Sequence, residues 1–96
     1  MGVHGTEART SVCSSDTTVK TGDAYIFWVT ANNSHATNTS AIELEDTGTD
    51  VWAVVLDAVD GSTGTVHALF DPPIHCTTGI TVDITGGTAL VTVGYE

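Results

Sequence analysis

The sequence predicts an all-β domain, an antiparallel β-sandwich or jelly roll of about seven to eight short strands. Short runs rich in Val, Ile and Thr, such as Ala41–Asp46 and Ala89–Glu96, alternate with turns that contain Gly, Asp and Pro. No stretch shows the periodicity of a helix, and Thr and Val stand where a helix would favour Ala, Leu, Glu and Lys. At 96 residues the chain is long enough for one domain.

The first 23 residues are polar, small and turn-prone, and only Val12, Cys13 and Val19 are candidates for inward positions. This composition indicates a flexible arm or a weak edge strand. We expect residues 1–15 to form a polar N-terminal arm that reaches a neighbouring subunit. Residues 16–96 are then predicted to form a single β-sandwich domain.

Two runs in the middle of the chain are apolar on both alternating faces. They are Ala24–Val29 and Val51–Asp57. A strand of this kind is covered on both sides, because it is central in a sandwich or because a partner overlies it. The first of these runs is predicted to be the core of the fold.

The run Ala41–Asp46 has a different pattern, with Ile42 and Leu44 on one face and Glu43 and Glu45 on the other. This alternation predicts a strand with one buried and one solvated face. Polar segments at 32–40, 46–50 and 60–64 are predicted to be the loop and the turns between these strands.

The last third of the chain predicts three more strands. Thr65–Phe70 is expected to end at Asp71-Pro72-Pro73, because consecutive prolines have no amide hydrogen to donate. Ile80, Val82 and Ile84 alternate with polar residues, and Val91, Val93 and Tyr95 share a face of the final strand. Gly86-Gly87 between them suits a two-residue hairpin turn, so these two strands are expected to pair.

The order of Ala41–Asp46, a Gly-rich turn, a β-run, Phe70–Ile74, the segment Thr77–Gly87 and a closing strand resembles small structural proteins of tailed bacteriophages. The resemblance covers roughly residues 18–96. It implies a virion structural protein, most often a capsid decoration (cement) protein on the outer surface of the head. Its implied partner is the major capsid protein, its implied state is a homo-oligomer, frequently a trimer, and it would be made in the host cytoplasm.

Charge narrows the partner classes further. Twelve acidic residues face two basic ones, and the formal net charge is −10. Nucleic acid and anionic membrane surfaces are recognised by clustered Lys and Arg, so neither is expected as a partner. The first residues lack a basic segment followed by an apolar one, and no apolar run is long enough for a membrane helix, so we expect no export signal and no membrane partner.

Aromatic side chains are the best candidates for interface anchors, and Phe27, Trp28 and Trp52 are available on the two-faced runs. The alternative is that each of these residues fills the core. Cys13 and Cys76 could form a disulfide worth about 4 kcal/mol, but two free thiols are favoured for a protein assembled in a reducing cytoplasm.

Metal and catalytic sites are not predicted. The histidines and cysteines show no chelating pair spacing, and they are interpreted as ordinary surface or rim residues; the histidines are His4, His35, His67 and His75. The segment Asp57–Gly61 lacks the ligand alternation of a calcium loop and is interpreted as a solvated turn. No Gly-x-Ser-x-Gly elbow is present, so we expect no enzyme and no cofactor.

The alternatives to the cement function are a carbohydrate- or receptor-binding sandwich of a phage fibre or collar and a low-copy neck or head-completion protein.

Overall fold

The structure, a computed structural model, describes residues 9–59 and 64–96. These residues form eight strands and no helix, which confirms the all-β fold class. The strands are β1 (Arg9–Cys13), β2 (Thr17–Thr21), β3 (Ala24–Asn33), β4 (Ser40–Asp46), β5 (Thr49–Leu56), β6 (Thr65–Cys76), β7 (Gly79–Thr85) and β8 (Ala89–Tyr95).

The strands form two packed antiparallel sheets of four strands each. Sheet A has the order β1-β8-β3-β6, and sheet B has the order β2-β7-β4-β5. The antiparallel pairs are nested along the chain, because β1 pairs with β8, β2 with β7, β3 with β6 and β4 with β5. This nesting is the strand order of a jelly roll, the second of the two predicted architectures.

The core lies between the sheets and consists of aliphatic side chains at alternate strand positions. The largest of those that are at most 2% exposed are Ile26, Val29, Ile42, Leu44, Leu56, Ile80, Val82, Val91 and Val93. Burial of each such side chain contributes about 1.5–3 kcal/mol. The sandwich is therefore held mainly by the alternating apolar faces of β3, β4, β7 and β8.

Strand β4 agrees with the predicted alternation. Ile42 and Leu44 are fully buried, whereas Glu43 and Glu45 lie on the outer face of sheet B. The turn to β5 is formed by Thr47 and Gly48, whose φ angles are 42° and 90°. Positive φ at both central residues defines the hairpin turn whose twist matches that of the flanking strands.

The predicted pairing of the last two strands is wrong. Gly86 and Gly87 have positive φ angles of 78° and 65°, as expected for a tight turn. However, β7 pairs with β2 and β4 in sheet B, whereas β8 pairs with β1 and β3 in sheet A. The turn therefore carries the chain from one sheet to the other, and the apolar faces of β7 and β8 lie on opposite sides of the core instead of side by side.

The predicted end of the sixth strand at Phe70 is also wrong. Strand β6 continues through Asp71-Pro72-Pro73, with a cis peptide bond before Pro72, and ends at Cys76. The register jumps from Leu69 opposite Trp28 to Ile74 opposite Ile26. Because β6 is an edge strand with β3 as its one neighbour, the prolines remove no hydrogen bond that a second neighbour needs.

The N-terminal boundary requires a correction. Residues 9–13, predicted to belong to an arm that spans 1–15, form β1 and pair with β8; residues 1–8 lie outside the described part. Cys13 is inward and 2% exposed, but Val12, predicted as an inward candidate, is 62% exposed on the outer face. The stretch is polar because it forms an edge strand with a single neighbour, which was the alternative to an arm.

Strand β3 is central in sheet A, between β8 and β6. A bulge at Phe27 shifts the alternation by one residue, so that Ile26 and Val29 are both inward. The bulge explains why the run Ala24–Val29 is apolar on both faces. Strand β5 differs, because it is the edge of sheet B and its outward Val55 is 62% exposed.

Candidate interaction surfaces

The aromatic residues predicted as interface anchors occupy three different environments. Phe27 is only 9% exposed, so it cannot serve as a surface anchor. Trp52 lies on the inner side of β5 and is half-buried, with its ring centroid 6.1 Å from that of Phe70 in an edge-on contact. This contact closes the sandwich between the edge strands β5 and β6. Of the three, Trp28 lies on the outer face of sheet A and is partly exposed.

Where the strands of sheet A keep a regular register beside Trp28, the outer face carries no aspartate, glutamate, lysine or arginine among the described residues. The exposed Asp71 follows Leu69 at the point where the register of β6 is interrupted. We call the surface without charges the uncharged face, and it consists of Thr10, Val12, Trp28, Thr30, Asn32, Thr65, His67, Leu69, Leu90 and Thr92. Its most exposed apolar side chains are Val12, Leu69 and Leu90, at 62%, 71% and 49%. The sequence alone does not place these three side chains on one surface, because their orientation depends on strand pairing.

Packing within the uncharged face holds its aromatic rings in place. The indole of Trp28 lies so close to Gly94 that a Cβ atom there would overlap it, so only glycine permits this approach. The ring centroid of His67 is 6.4 Å from that of Trp28, and His67 Nδ1 lies 2.8 Å from Thr30 Oγ1. These side chains are therefore held in place by contacts within the chain itself.

Charged groups begin where the bulge of β3 interrupts the uncharged face. Tyr25 stacks on His75 across the strand pair, with ring centroids 4.5 Å apart and planes inclined by 13°. His75 Nε2 in turn lies 2.5 Å from Asp23 Oδ1. This end thus forms a polar rim, as is typical around an apolar contact patch.

The outer face of sheet B has the opposite character, and we call it the acidic face. Glu43 and Glu45 project from β4, Asp83 from β7 and Asp50 from β5. One carboxylate oxygen from each of Glu43, Glu45 and Asp83 lies within 4.8 Å of the others. A shared hydrogen bond with Asp50, and the charges of its acidic neighbours, raise the pKa of Glu43 above its usual value of 4.5. The cluster is thus a site of mutual repulsion.

We expect the substitution Glu43→Gln to raise the melting temperature at neutral pH, because it removes one of these repelling charges. In the wild type, the destabilisation caused by the repulsion of Glu43 from its acidic neighbours is fully present at pH values above its raised pKa. It disappears as the pH falls through that pKa to the usual 4.5, since the folded state then takes up the proton first. Thermal unfolding of both proteins from about pH 7 to pH 4 measures the difference, and Asp71→Asn, far from the cluster, is the control. A variant that is less stable than the wild type at neutral pH would contradict this expectation.

Asp46 has a structural role at the end of β4. Its carboxylate accepts hydrogen bonds from the hydroxyl and backbone N–H of Thr78, at 2.7 and 3.0 Å, and from the backbone N–H and hydroxyl of Thr77, at 3.0 and 3.2 Å. These bonds, with the Thr78 hydroxyl contributing most, hold the pKa of Asp46 far below its usual 3.8. Asp46 thus ties the β6–β7 turn to sheet B.

The substitution Asp46→Asn should lower the melting temperature at neutral pH, because an amide oxygen cannot accept all of the bonds that a carboxylate accepts. A depressed pKa contributes stability above the usual 3.8 and loses it as the pH falls through the folded-state value. The difference in melting temperature between the wild type and the variant should therefore disappear only in strong acid. Calorimetry from about pH 7 to pH 2 tests this, and an equal gap at all pH values would show that the ionised carboxylate is not involved.

Cys13 and Cys76 are both buried free thiols. They lie on β1 and β6, the opposite edges of sheet A, so at least three strand spacings, about 14 Å, separate them. A disulfide requires Cα atoms within about 7 Å, and this one cannot form in the fold. Burial, together with the charge of Asp46, raises the pKa of Cys76 to about 11, so its thiol is protonated at neutral pH.

The described histidines have separate partners. His35 Nδ1 accepts hydrogen bonds from the backbone N–H groups of Thr37 and Asn38, at 3.1 and 2.9 Å, and holds the loop before β4. His67 and His75 contact Thr30 and Asp23, as described above. Among the residues that the structure describes, the one cluster with metal-ligand spacing is Glu43, Glu45 and Asp83, without histidine or cysteine. His4 and the turn beyond Val59 lie outside these residues.

The described residues contain no helix long and apolar enough to cross a membrane. No protein-family model, curated protein or solved structure matches the chain.

Proposed function

We propose that this chain is a non-catalytic structural protein of a tailed-phage virion, a capsid decoration (cement) protein. It binds the major capsid protein on the outer surface of the head and bridges capsomers through protein contacts. It is a homo-oligomer, for which the sequence resemblance favours a trimer, and it is made in the host cytoplasm. The resemblance suggests this role, and the surface chemistry of the structure supports it.

The observation that carries the proposal is the uncharged face, in a chain with a formal net charge of −10. In the described part of the chain, five large apolar side chains are exposed by 49% or more, and Val12, Leu69 and Leu90 belong to this face. Clustered exposed apolar side chains with a polar rim are typical of protein contact sites. A flat sheet surface of this kind fits another protein surface better than it fits a small molecule, which needs a concave pocket.

The acidic face, on the other side of the sandwich, also supports the proposed cement function. Its carboxylates repel the phosphate backbone, so a protein that carries them does not compete for nucleic acid. They also favour approach to the shell in the orientation that presents the uncharged face. The jelly-roll strand order recurs in viral capsid and lectin domains, although a fold by itself does not determine a function.

One observation favours a second candidate, a carbohydrate-binding protein of a phage fibre or collar. Trp28 is partly exposed, with His67 beside it, and Asn32 lies four residues further along the same face of β3. An aromatic ring with an imidazole beside it and an amide on the same face is a surface on which sugars can stack and form hydrogen bonds. Binding to a glycan array that is lost in Trp28→Ala would favour this candidate over the cement function.

The experiment that tests the proposal is quantitative mass spectrometry of purified particles of the source virus, with copies of this chain compared with copies of the major shell protein. A one-to-one ratio, or a simple fraction of the shell lattice, is the expected result. About a dozen copies per particle would instead assign the chain to the neck or fibres. Absence from the particles would overturn the virion role.

A further inference from the structure

The free edge of β5 differs from every other sheet edge in the described part of the chain. Among the strands that the structure describes, β5 has only β4 as a hydrogen-bonded neighbour, so one side of its backbone has no partner strand there. Residues 51–56 are all apolar, and the register with β4 is regular from Trp52 to Leu56. The strand spans 8 residues and contains no Pro, Lys or Arg. An exposed edge of this kind pairs readily with another strand.

The other three edges carry features that discourage such pairing. Strand β6 contains Pro72 and Pro73, and its register is interrupted there. Strand β2 is 5 residues long, with a bulge at Val19 and a lysine at position 20. Strand β1 is equally short and begins with Arg9. Short length, prolines, bulges and charged side chains are the usual protections of sheet edges, and β5 has only a bulge and the charge of Asp50, both near its start.

We propose that β5 pairs with β5 of a second copy of this chain, so that two sheets B join into one continuous antiparallel sheet around a two-fold axis. The sequence of the strand is self-complementary for such pairing. With the axis at Val54, Trp52 lies opposite the partner's Leu56, and Ala53 lies opposite the partner's Val55. With the axis at Ala53, the opposed residues from 51 to 55 are still all apolar. Most closed oligomers contain two-fold interfaces of this self-paired kind.

The exposed apolar side chains beside β5 also favour a second copy of this chain as the partner. The large apolar side chains exposed outside the uncharged face are Val55 and Val59, at 62% and 61%. Val55 lies beside Ala41 and Ala53 on the outer face of sheet B, in a shallow depression of about 430 Å³. Strand pairing would bring the corresponding apolar side chains of a second copy alongside it and cover this strip.

Charge permits this contact although each chain carries a formal net charge of −10. Glu43 lies on β4, one strand away from the edge. In the paired sheet, the two copies of Glu43 are separated by three strand spacings, about 14 Å. That distance exceeds the screening length of about 8 Å at physiological ionic strength, so the repulsion between the two Glu43 carboxylates is weak. Asp50, near the start of β5, faces an apolar residue of the partner with either axis. Added salt also screens the overall repulsion between two acidic chains, so association should strengthen as the salt concentration rises.

The test is the solution mass of the full chain, measured by sedimentation equilibrium from about 10 to 500 µM, a range suited to a small interface. For the wild type, the mass should rise from 9.9 kDa toward twice that value. The double substitution A53K/V55K places lysines opposite lysines across the axis, and it should raise the dimer Kd at least about tenfold. Both positions are exposed, and Thr18→Lys, on the outer face of β2, is the matched control.

Hydrogen exchange on the wild type gives a second readout that needs no variant. Amides of Trp52–Leu56 should become more protected as the protein concentration rises, whereas those of β2 should not. A mass of 9.9 kDa at every concentration, a trimeric mass, or unchanged association of A53K/V55K would overturn the pairing. The inference replaces the trimer that the resemblance favours with a two-fold dimer. In all other respects it is independent of the proposed function, because the uncharged face lies on the other sheet and its binding to phage heads is measured separately.

Discussion

The substitution Asn33→Ala should destabilise the protein by about 2–4 kcal/mol, the largest stability effect we expect from a single polar side chain. Asn33 is 3% exposed. Its Nδ2 group donates hydrogen bonds to the carbonyls of Asn38 and Asp57, at 2.8 and 3.1 Å. Its Oδ1 atom accepts from the backbone N–H groups of His35 and Thr88, at 3.1 and 3.0 Å.

These bonds join three separate connections at one end of the sandwich, and alanine leaves four backbone groups without their partner. At about 0.5–1 kcal/mol for each lost bond, the total of about 2–4 kcal/mol corresponds to a fall of roughly 10–30 °C in melting temperature for a domain of this size. Urea unfolding and calorimetry measure both quantities.

The neighbouring Asn32 provides the matched control, because it is exposed on the uncharged face. Asn32→Ala should change the stability by no more than about 0.5 kcal/mol. Asn33→Asp is a sharper variant, since it keeps the size and both acceptor contacts but directs a carboxylate oxygen at the carbonyls of Asn38 and Asp57. We expect it to be as destabilising as alanine at neutral pH. A loss below 1 kcal/mol for Asn33→Ala would mean that water replaces the amide without cost.

The fold class and most strands could be predicted from the sequence because period-two alternation reports directly on burial. Strand β4 shows such a pattern, in which Ile42 and Leu44 alternate with Glu43 and Glu45. The pattern correctly predicts that the two apolar side chains face the core. The tight turn at Gly86-Gly87 could be predicted for a similar reason, since glycine adopts positive φ without steric cost and both residues have positive φ. Local patterns of this kind depend on a few neighbouring residues, which the sequence contains in full.

Pairing between strands could not be predicted in the same way. Alternation shows which face of a strand is buried, but it does not show which sheet the strand joins. The link from Thr85 to Ala89 therefore looked like a hairpin, although it crosses between the sheets. Pro72 and Pro73 predict the end of a strand, and this prediction is wrong because β6 is an edge, where the missing amides cost little.

The candidate surfaces depend on pairing, which is why the sequence identified only part of them. Trp28 was among the predicted anchors, but nothing local showed that the bulge at Phe27 would turn it outward and bury its neighbour. Val12, Leu69 and Leu90 come from three strands that are distant in the chain, and they share a face only through β8 and β3. Asp83 joins Glu43 in the same way, through the β4–β7 pair.

If the chain is the cement protein proposed above, the substitution Leu69→Lys should weaken its binding to the phage head at least about 30-fold, without loss of folding. Leu69 is 71% exposed, and it lies opposite Trp28 on the uncharged face. Truncation or charging of a central apolar contact typically costs 2 kcal/mol or more, which is about 30-fold in Kd. A lysine also brings an ammonium group into a contact that otherwise contains no charge, and its desolvation adds to the loss.

The measurement is co-sedimentation of purified protein with heads of the source virus that lack the chain, with bound copies counted at increasing protein concentration. Thr18→Lys on the opposite face makes the same change in charge at an exposed strand position, and it should bind like the wild type. Leu90→Lys should reproduce the loss, because Leu90 belongs to the same face. Equal binding by all of these variants would place the contact elsewhere on the sandwich. Loss in Thr18→Lys alone would instead assign the contact to sheet B, because its acidic surface would then be the part that meets the shell.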